Sequence, residues 1–212
     1  MYDTYEELLK NQPQLPYQNF EPMIIKNVLS KEEKQHILDQ MDKTPIENIR
    51  VQKWGGQGNF DDIKLSDLLI NKINKIINKY FSPRIKVSNV SIVRYSPQYG
   101  YQTKLFPHYD TRETHKMILD IQLQQTEQWG IIVEGKKFYL DDNDGLFFSG
   151  TQQIHWREDK KLSPSAKIDM IFCWFDFEDI KIFTKEENDF MMQREAFLLN
   201  KTKISNLELK YE

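Results

Sequence analysis

The chain's pattern predicts a mainly β fold with flanking helices around a jelly-roll core. Three observations carry that expectation. Apolar residues recur at helical spacing in the segments before about residue 85, and the period drops to two from Lys86 onward. Turn residues then break the second half at short intervals, at Pro97 to Gly100, Glu134-Gly135 and the run Asp141 to Gly145. Beyond Asp176 the sequence becomes helical and charged again. The expected organisation is one domain over 1–212. An irregular arm and supporting helices fill 1–85, the jelly-roll core 86–176, and a C-terminal helical extension 177–212.

Each element has its own signal. Pro13, Pro16 and Pro22 make residues 1–22 an irregular arm. Met23 to Leu29 reads as a short strand. Ser30 with Glu33 three places on is a capping box, opening a helix over 31–41 with Ile37, Leu38 and Met41 as its apolar stripe. Val51 to Phe60 is glycine-rich but lacks the Lys-Ser/Thr ending of a phosphate loop, so a flexible hairpin or lid is expected. Ser66 to Tyr80 is a strong helix, with Leu68, Leu69, Ile73, Ile76 and Ile77 at three- and four-residue spacing. Strands follow at 86–95, 101–109, 117–124, 129–134, 137–140, 145–149, 152–156 and 167–176. The acidic run at Asp141 lacks the spacing of a calcium loop and reads as a turn between strands. In the final segment, Phe190, Met191 and Phe197 are candidate contacts to the sheet.

Composition narrows the function. With 39% hydrophobic and 29% charged residues, the chain has an ordinary globular make-up. A formal net charge of −3 gives no support for broad electrostatic binding of nucleic acid or of an anionic membrane. The single cysteine, Cys173, cannot form an internal disulfide and reads as a small buried residue in a reducing compartment. No run approaches the roughly 18 apolar residues of a bilayer span, and the acidic start Met1 to Glu7 lacks a signal-peptide pattern. A cytoplasmic protein with no membrane partner is expected.

Three residues carry the chemistry. His108 and Asp110 stand at i and i+2, the spacing that puts two side chains on one face of an extended segment. His155 closes a later apolar segment, Asp144 to Ile154, that turns at Gly150. Two imidazoles and one carboxylate make the facial triad of a non-haem Fe(II) site, with coordination positions left open for other ligands. The same donors would suit a zinc hydrolase with an activated water, and a non-catalytic jelly-roll binding module could use the histidines to line a groove. Arg157 shares a face with His155 by the same i, i+2 argument. His36 and His115 read as a surface residue and a loop or strand-entry residue.

From about Asn89 to Phe175 the chain resembles the Fe(II)/2-oxoglutarate-dependent dioxygenases, in particular the prolyl-hydroxylase-like branch. The resemblance rests on Val90-Ser-Ile-Val-Arg-Tyr95 leading through Pro97 and Gly100 to His108-Tyr-Asp110. It continues through the turn and strand Asn143-Asp-Gly-Leu-Phe-Phe148 to His155. The lead-in Phe20 to Ser30 is also similar to the family's. The resemblance implies a double-stranded β-helix core and an oxygenase that uses Fe(II), 2-oxoglutarate and dioxygen (O2). His108, Asp110 and His155 would be both its metal ligands and its catalytic centre. It implies 2-oxoglutarate chelated through its keto and C1-carboxylate oxygens and converted to succinate and CO2. Because Asp110 retains the carboxylate position, hydroxylation is favoured over halogenation. The family's cation for the far carboxylate of 2-oxoglutarate lies on the strand after the distal histidine, where Lys167 matches and Arg157 is the rival. Tyr95 is implied as a cosubstrate contact. The implied partner is a protein, peptide or small-molecule substrate.

Overall fold

In a computed structural model that describes residues 5–52, 54–81, 84–101 and 103–205, every strand pairing is antiparallel. Ten strands are described: β1 Met23–Ile25, β2 Arg50–Gln52, β3 Gln57–Asn59, β4 Ile85–Tyr95, β5 Lys116–Gln125, β6 Ile131–Val133, β7 Lys136–Phe138, β8 Gly145–Phe148, β9 His155–Arg157 and β10 Ile168–Phe177. They divide into a large sheet ordered β1-β8-β5-β10-β4-β3-β2 and a small one ordered β7-β6-β9. The α-helices are α1 Tyr5–Lys10, α2 Lys31–Lys43, α3 Asp67–Ile77 and α4 Lys185–Ser205. Among the described residues no helix is long and apolar enough to cross a membrane. Two sheets face to face, with helices on one outer surface, form the expected jelly roll.

Strand alternation gives the large sheet two unlike faces. Ile92, Leu119, Ile121, Ile171, Cys173 and Phe175 point to the helix side, where they are buried against Ile37, Leu38 and Met41 of α2 and Leu69, Ile73 and Ile77 of α3. The capping box of α2 forms as expected: Ser30 Oγ accepts from the Glu33 amide, and the Glu33 carboxylate accepts from the Ser30 amide. On α3 the buried stripe is Leu69, Ile73 and Ile77, while Leu68 faces solvent at 80% exposure. A single stripe at four-residue spacing is enough to bury the helix, and Leu68, one residue out of step, falls outside it.

On the opposite face Ile118, Leu146 and Phe148 meet Ile131, Val133 and Phe138 of the small sheet. Phe190 and Met191 of α4 pack with Leu8, Leu15, Tyr109 and Ile154, so α4 clamps the arm and the triad loop rather than the sheet centre.

The expected strand over 101–109 does not form; the described part of that segment is irregular, with an isolated bridge between His108 and His155. Pro107 explains the interruption, because it has no amide to donate to a ladder. The segment still follows β9, through His108–His155 backbone bonds of 3.0 and 3.1 Å and Arg157 N to Leu105 O at 3.1 Å. The strand expected over 152–156 also shifts. Residues 150–153 turn instead, with the amides of Gln152 and Gln153 donating to Ser149 O, and β9 starts only at His155. The acidic run is a turn, with Asn143 at φ 71°.

Candidate metal-binding site

The antiparallel contact of the 105–110 segment with β9 brings the three sequence candidates together. One donor atom each from His108, Asp110 and His155 lies within 4.8 Å of the others. Asp110 Oδ1 is 3.3 Å from His155 Nε2 and 3.9 Å from His108 Nε2. Both histidines use Nδ1 on a backbone carbonyl two residues earlier, His108 on Phe106 at 2.8 Å and His155 on Gln153 at 3.1 Å. A carbonyl only accepts, so Nδ1 carries a hydrogen in both rings, and Nε2, the nitrogen left for a metal, faces Asp110. That tautomer is the one a metal requires.

Asp110 is held from its other side. Its Oδ2 accepts from Trp174 Nε1 at 3.1 Å, and its amide donates to Gly150 O at 3.0 Å. A Cβ on Gly150 would overlap the Asp110 carboxylate, so only glycine leaves room for this carboxylate position. Burial pushes the His108 imidazole down to about 4, and the neighbouring His155 charge adds to that, so it stays neutral near neutral pH. Burial also opposes charge on His155 and Asp110. Their mutual attraction outweighs it, raising the imidazole and lowering the carboxyl.

The triad opens into a cavity of about 480 Å³ between the two sheets. Its floor is the non-helix face of the large sheet: Ser91 and Tyr95 from β4, Phe172 and Trp174 from β10, Ile118 and Asp120 from β5. Its outer wall is polar, with Arg50 and Gln52 on β2 and Gln57 and Asn59 on β3. Gln57 donates to Asn59, which donates to Arg50 O, so these amides are fixed in place.

Arg157 lines the same cavity from β9. Its Nη1 donates to Trp129 O at 2.8 Å, its Nη2 to Met170 Sδ at 2.6 Å, and its guanidinium lies 5.3 Å from the Trp129 ring centre. The buried Nε has no partner, and burial lowers the guanidinium from its usual value. Tyr95 is buried in the same wall, edge-on to Trp129, and burial raises its phenol, which therefore stays protonated. Lys167 stands apart. It is half-buried outside the cavity lining, and its backbone N donates to Thr126 Oγ1 while its carbonyl accepts from the Thr126 amide.

His36 is exposed beside Gln40, and His115 is buried against the Phe183 ring, both away from the cavity lining. Trp174, Gly150 and Asp120 were not singled out by motif reasoning. For Asp120 a signal existed: it is the one acidic residue inside the apolar run Met117 to Leu123.

No protein-family model matches the chain, and no curated protein matches it. Solved structures do. A viral collagen prolyl hydroxylase from Paramecium bursaria Chlorella virus-1, in a 2-oxoglutarate complex, matches with a TM-score of 0.52 at 16% identity, over 73% of this chain and 94% of that one. HygX from Streptomyces hygroscopicus, with nickel, 2-oxoglutarate and hygromycin B bound, gives 0.54 at 8% identity, over 72% and 82%. The non-heme alpha-ketoglutarate-dependent epimerase SnoN from nogalamycin biosynthesis gives 0.55 at 8%, over 77% and 80%. The chain therefore has the double-stranded β-helix fold that these 2-oxoglutarate-dependent enzymes share.

Proposed function

We propose that the protein is an Fe(II)/2-oxoglutarate-dependent oxygenase that hydroxylates an unactivated C–H bond. The observation that carries this reading is the convergence of His108, Asp110 and His155 at one end of a cavity whose buried far wall holds the unpartnered Arg157 Nε. The donor set fits iron(II): two neutral imidazole nitrogens and one carboxylate on one side, with the other side open to the cavity. When bound, iron(II) would supply the oxidising power together with O2 and 2-oxoglutarate, which would be converted to succinate and CO2.

The protein's own residues do the rest. His108, Asp110 and His155 hold the metal, and Trp174 and Gly150 fix the direction of the Asp110 carboxylate. Arg157 receives the far carboxylate of 2-oxoglutarate, in the role the sequence also offered to Lys167. Its orientation is set by Trp129 O and Met170 Sδ, which leaves Nε to donate. The Tyr95 phenol is a second donor in the same wall. Leu105, Ile131 and Phe172 add apolar surface to the cavity lining. The polar wall of Gln52, Gln57, Asn59 and Arg50 receives the substrate, a protein side chain, a peptide or a small molecule. Of the similar structures, one is a collagen prolyl hydroxylase and another, HygX, holds hygromycin B.

Succinate formation tests the reaction class. Aerobic protein with Fe(II) and 2-oxoglutarate is expected to form succinate slowly alone and faster with peptide and small-molecule pools. Asp110→Ala is expected to form none above the protein-free control. Equal succinate from wild type and Asp110→Ala would overturn the reading.

A further inference from the structure

We propose that Asp120 is a cosubstrate-binding and specificity residue: its carboxyl group and Arg157 grip the same carboxylate of 2-oxoglutarate, with one proton held between the two carboxyl groups. This rests on the oxygenase reading above and assigns a residue that reading does not use.

Register fixes where Asp120 stands. Across β10 and β5 the pairs are Trp174 with Ile118, Phe172 with Asp120 and Met170 with Gln122. Successive rows on one face are about 7 Å apart. Trp174 bonds the metal-site carboxylate of Asp110, and Met170 bonds Arg157. Asp120 is therefore on the row between the triad and the cation, where a ligand reaching from one to the other must pass.

Its carboxyl is also unspent. Asp120 is 4% exposed, its Oδ1 has no hydrogen-bond partner, and among the described residues no ion pair joins it to Arg157, whose Nε is likewise unpartnered. Two buried polar groups that face one cavity and do not satisfy each other are placed for something that enters it.

Charge decides the protonation. A divalent metal, Asp110, Arg157 and a dianionic cosubstrate balance. An ionised Asp120 would leave one negative charge uncompensated at a buried position, which is costly. A proton removes that charge and turns the group into a donor, giving a short O–H···O⁻ bond to the ligand carboxylate. The titratable and charged groups facing Asp120 are Arg157 from β9, Tyr95 from β4, and Asp110 and His155 of the triad; Cys173 on β10 points to the helix face. Burial pushes the Asp120 carboxyl up to about 7, with Arg157 opposing and Asp110 adding to it.

Calorimetry of 2-oxoglutarate binding to the Ni(II)-loaded protein tests this without turnover. Titrations at about pH 8 in two buffers of different ionisation enthalpy give the protons taken up, and the wild type is expected to take up close to one. Between about pH 7 and pH 8.5 its affinity should fall roughly fifteenfold in all. Asp120→Asn, whose amide N–H is a permanent donor, is expected to bind with almost no proton uptake and a flat pH profile. Asp120→Leu is expected to bind at least tenfold more weakly than Asp120→Asn at about pH 8. Proton uptake unchanged in Asp120→Asn, or no uptake by the wild type, would overturn the assignment of Asp120. An Ni(II)-loaded wild type that binds no 2-oxoglutarate at any pH would instead overturn the oxygenase reading, and this proposal with it.

Discussion

Asp169 and Asp120 are buried carboxylates on neighbouring strands of one sheet, and they differ in everything but burial. Asp169, on the helix face, accepts from Arg94 Nε at 2.6 Å and Nη2 at 2.9 Å and from Gln124 at 2.8 Å, while Arg94 also reaches Asp42 on α2. Asp120, on the cavity face, has an oxygen with no partner. The same division separates Arg94 from Arg157 on the two sides of the sheet. Polar groups on the helix face complete one another and hold the fold. On the cavity face Asp120 and Arg157 each keep an unpartnered atom, which marks that face as the working one.

The largest effects should come from breaking the completed face. Asp169→Ala strands the buried Arg94 guanidinium and is expected to cost about 3–5 kcal/mol in urea unfolding. Asp120→Asn removes a carboxyl that nothing satisfies, so it is expected to cost no stability near neutral pH. Equal losses would erase the contrast between the faces. Next, Arg157→Gln should weaken 2-oxoglutarate binding by about a hundredfold, in line with loss of a charged hydrogen bond, while Lys167→Ala leaves it unchanged. The reverse result would transfer the anchor to Lys167.

Smaller losses are expected behind the triad. Gly150→Ala pushes on the Asp110 carboxylate and Trp174→Phe removes its donor, so each should lower metal affinity about 10- to 100-fold, read by competition with a chelator. The melting temperature of Trp174→Phe should move little. A pH-linked effect of opposite sign, a gain, is expected at Asp120. A carboxyl whose folded value lies near 7, above its unfolded value, binds more protons in the folded state between the two, so stability falls as pH rises through that window. Metal-free Asp120→Asn should therefore gain on the wild type between about pH 4 and pH 7, and hold that gain above it.

Much of this was legible in the sequence, for reasons that are local. The change of period at Lys86, the Ser30–Glu33 capping box and the i, i+2 spacing of His108 and Asp110 each follow from short-range geometry. The strand expected over 101–109 failed where Pro107 interrupts the ladder, although pairing with β9 survives around it. Choosing between Lys167 and Arg157 needed long-range information. The pairing of β10 supplies it: against β4 the register runs unbroken from Ile168 to Trp174, and the extra residue at the β5 shift lies on β5, so counting back from Trp174 gives Lys167 the parity of the helix face. The role of Gly150 was hidden for a similar reason, since the Asp110 carboxylate that its bare backbone accommodates comes from another segment.

The central claim is that the cavity face joins a metal at His108, Asp110 and His155 to a carboxylate ligand at Arg157. Anaerobic visible spectroscopy tests it most directly. Adding 2-oxoglutarate to the Fe(II)-loaded protein should produce a weak metal-to-ligand charge-transfer band. The band should be absent in His108→Ala and Asp110→Ala, and should need far more 2-oxoglutarate in Arg157→Gln. No band in the wild type, or an unchanged band in both ligand variants, would contradict the account.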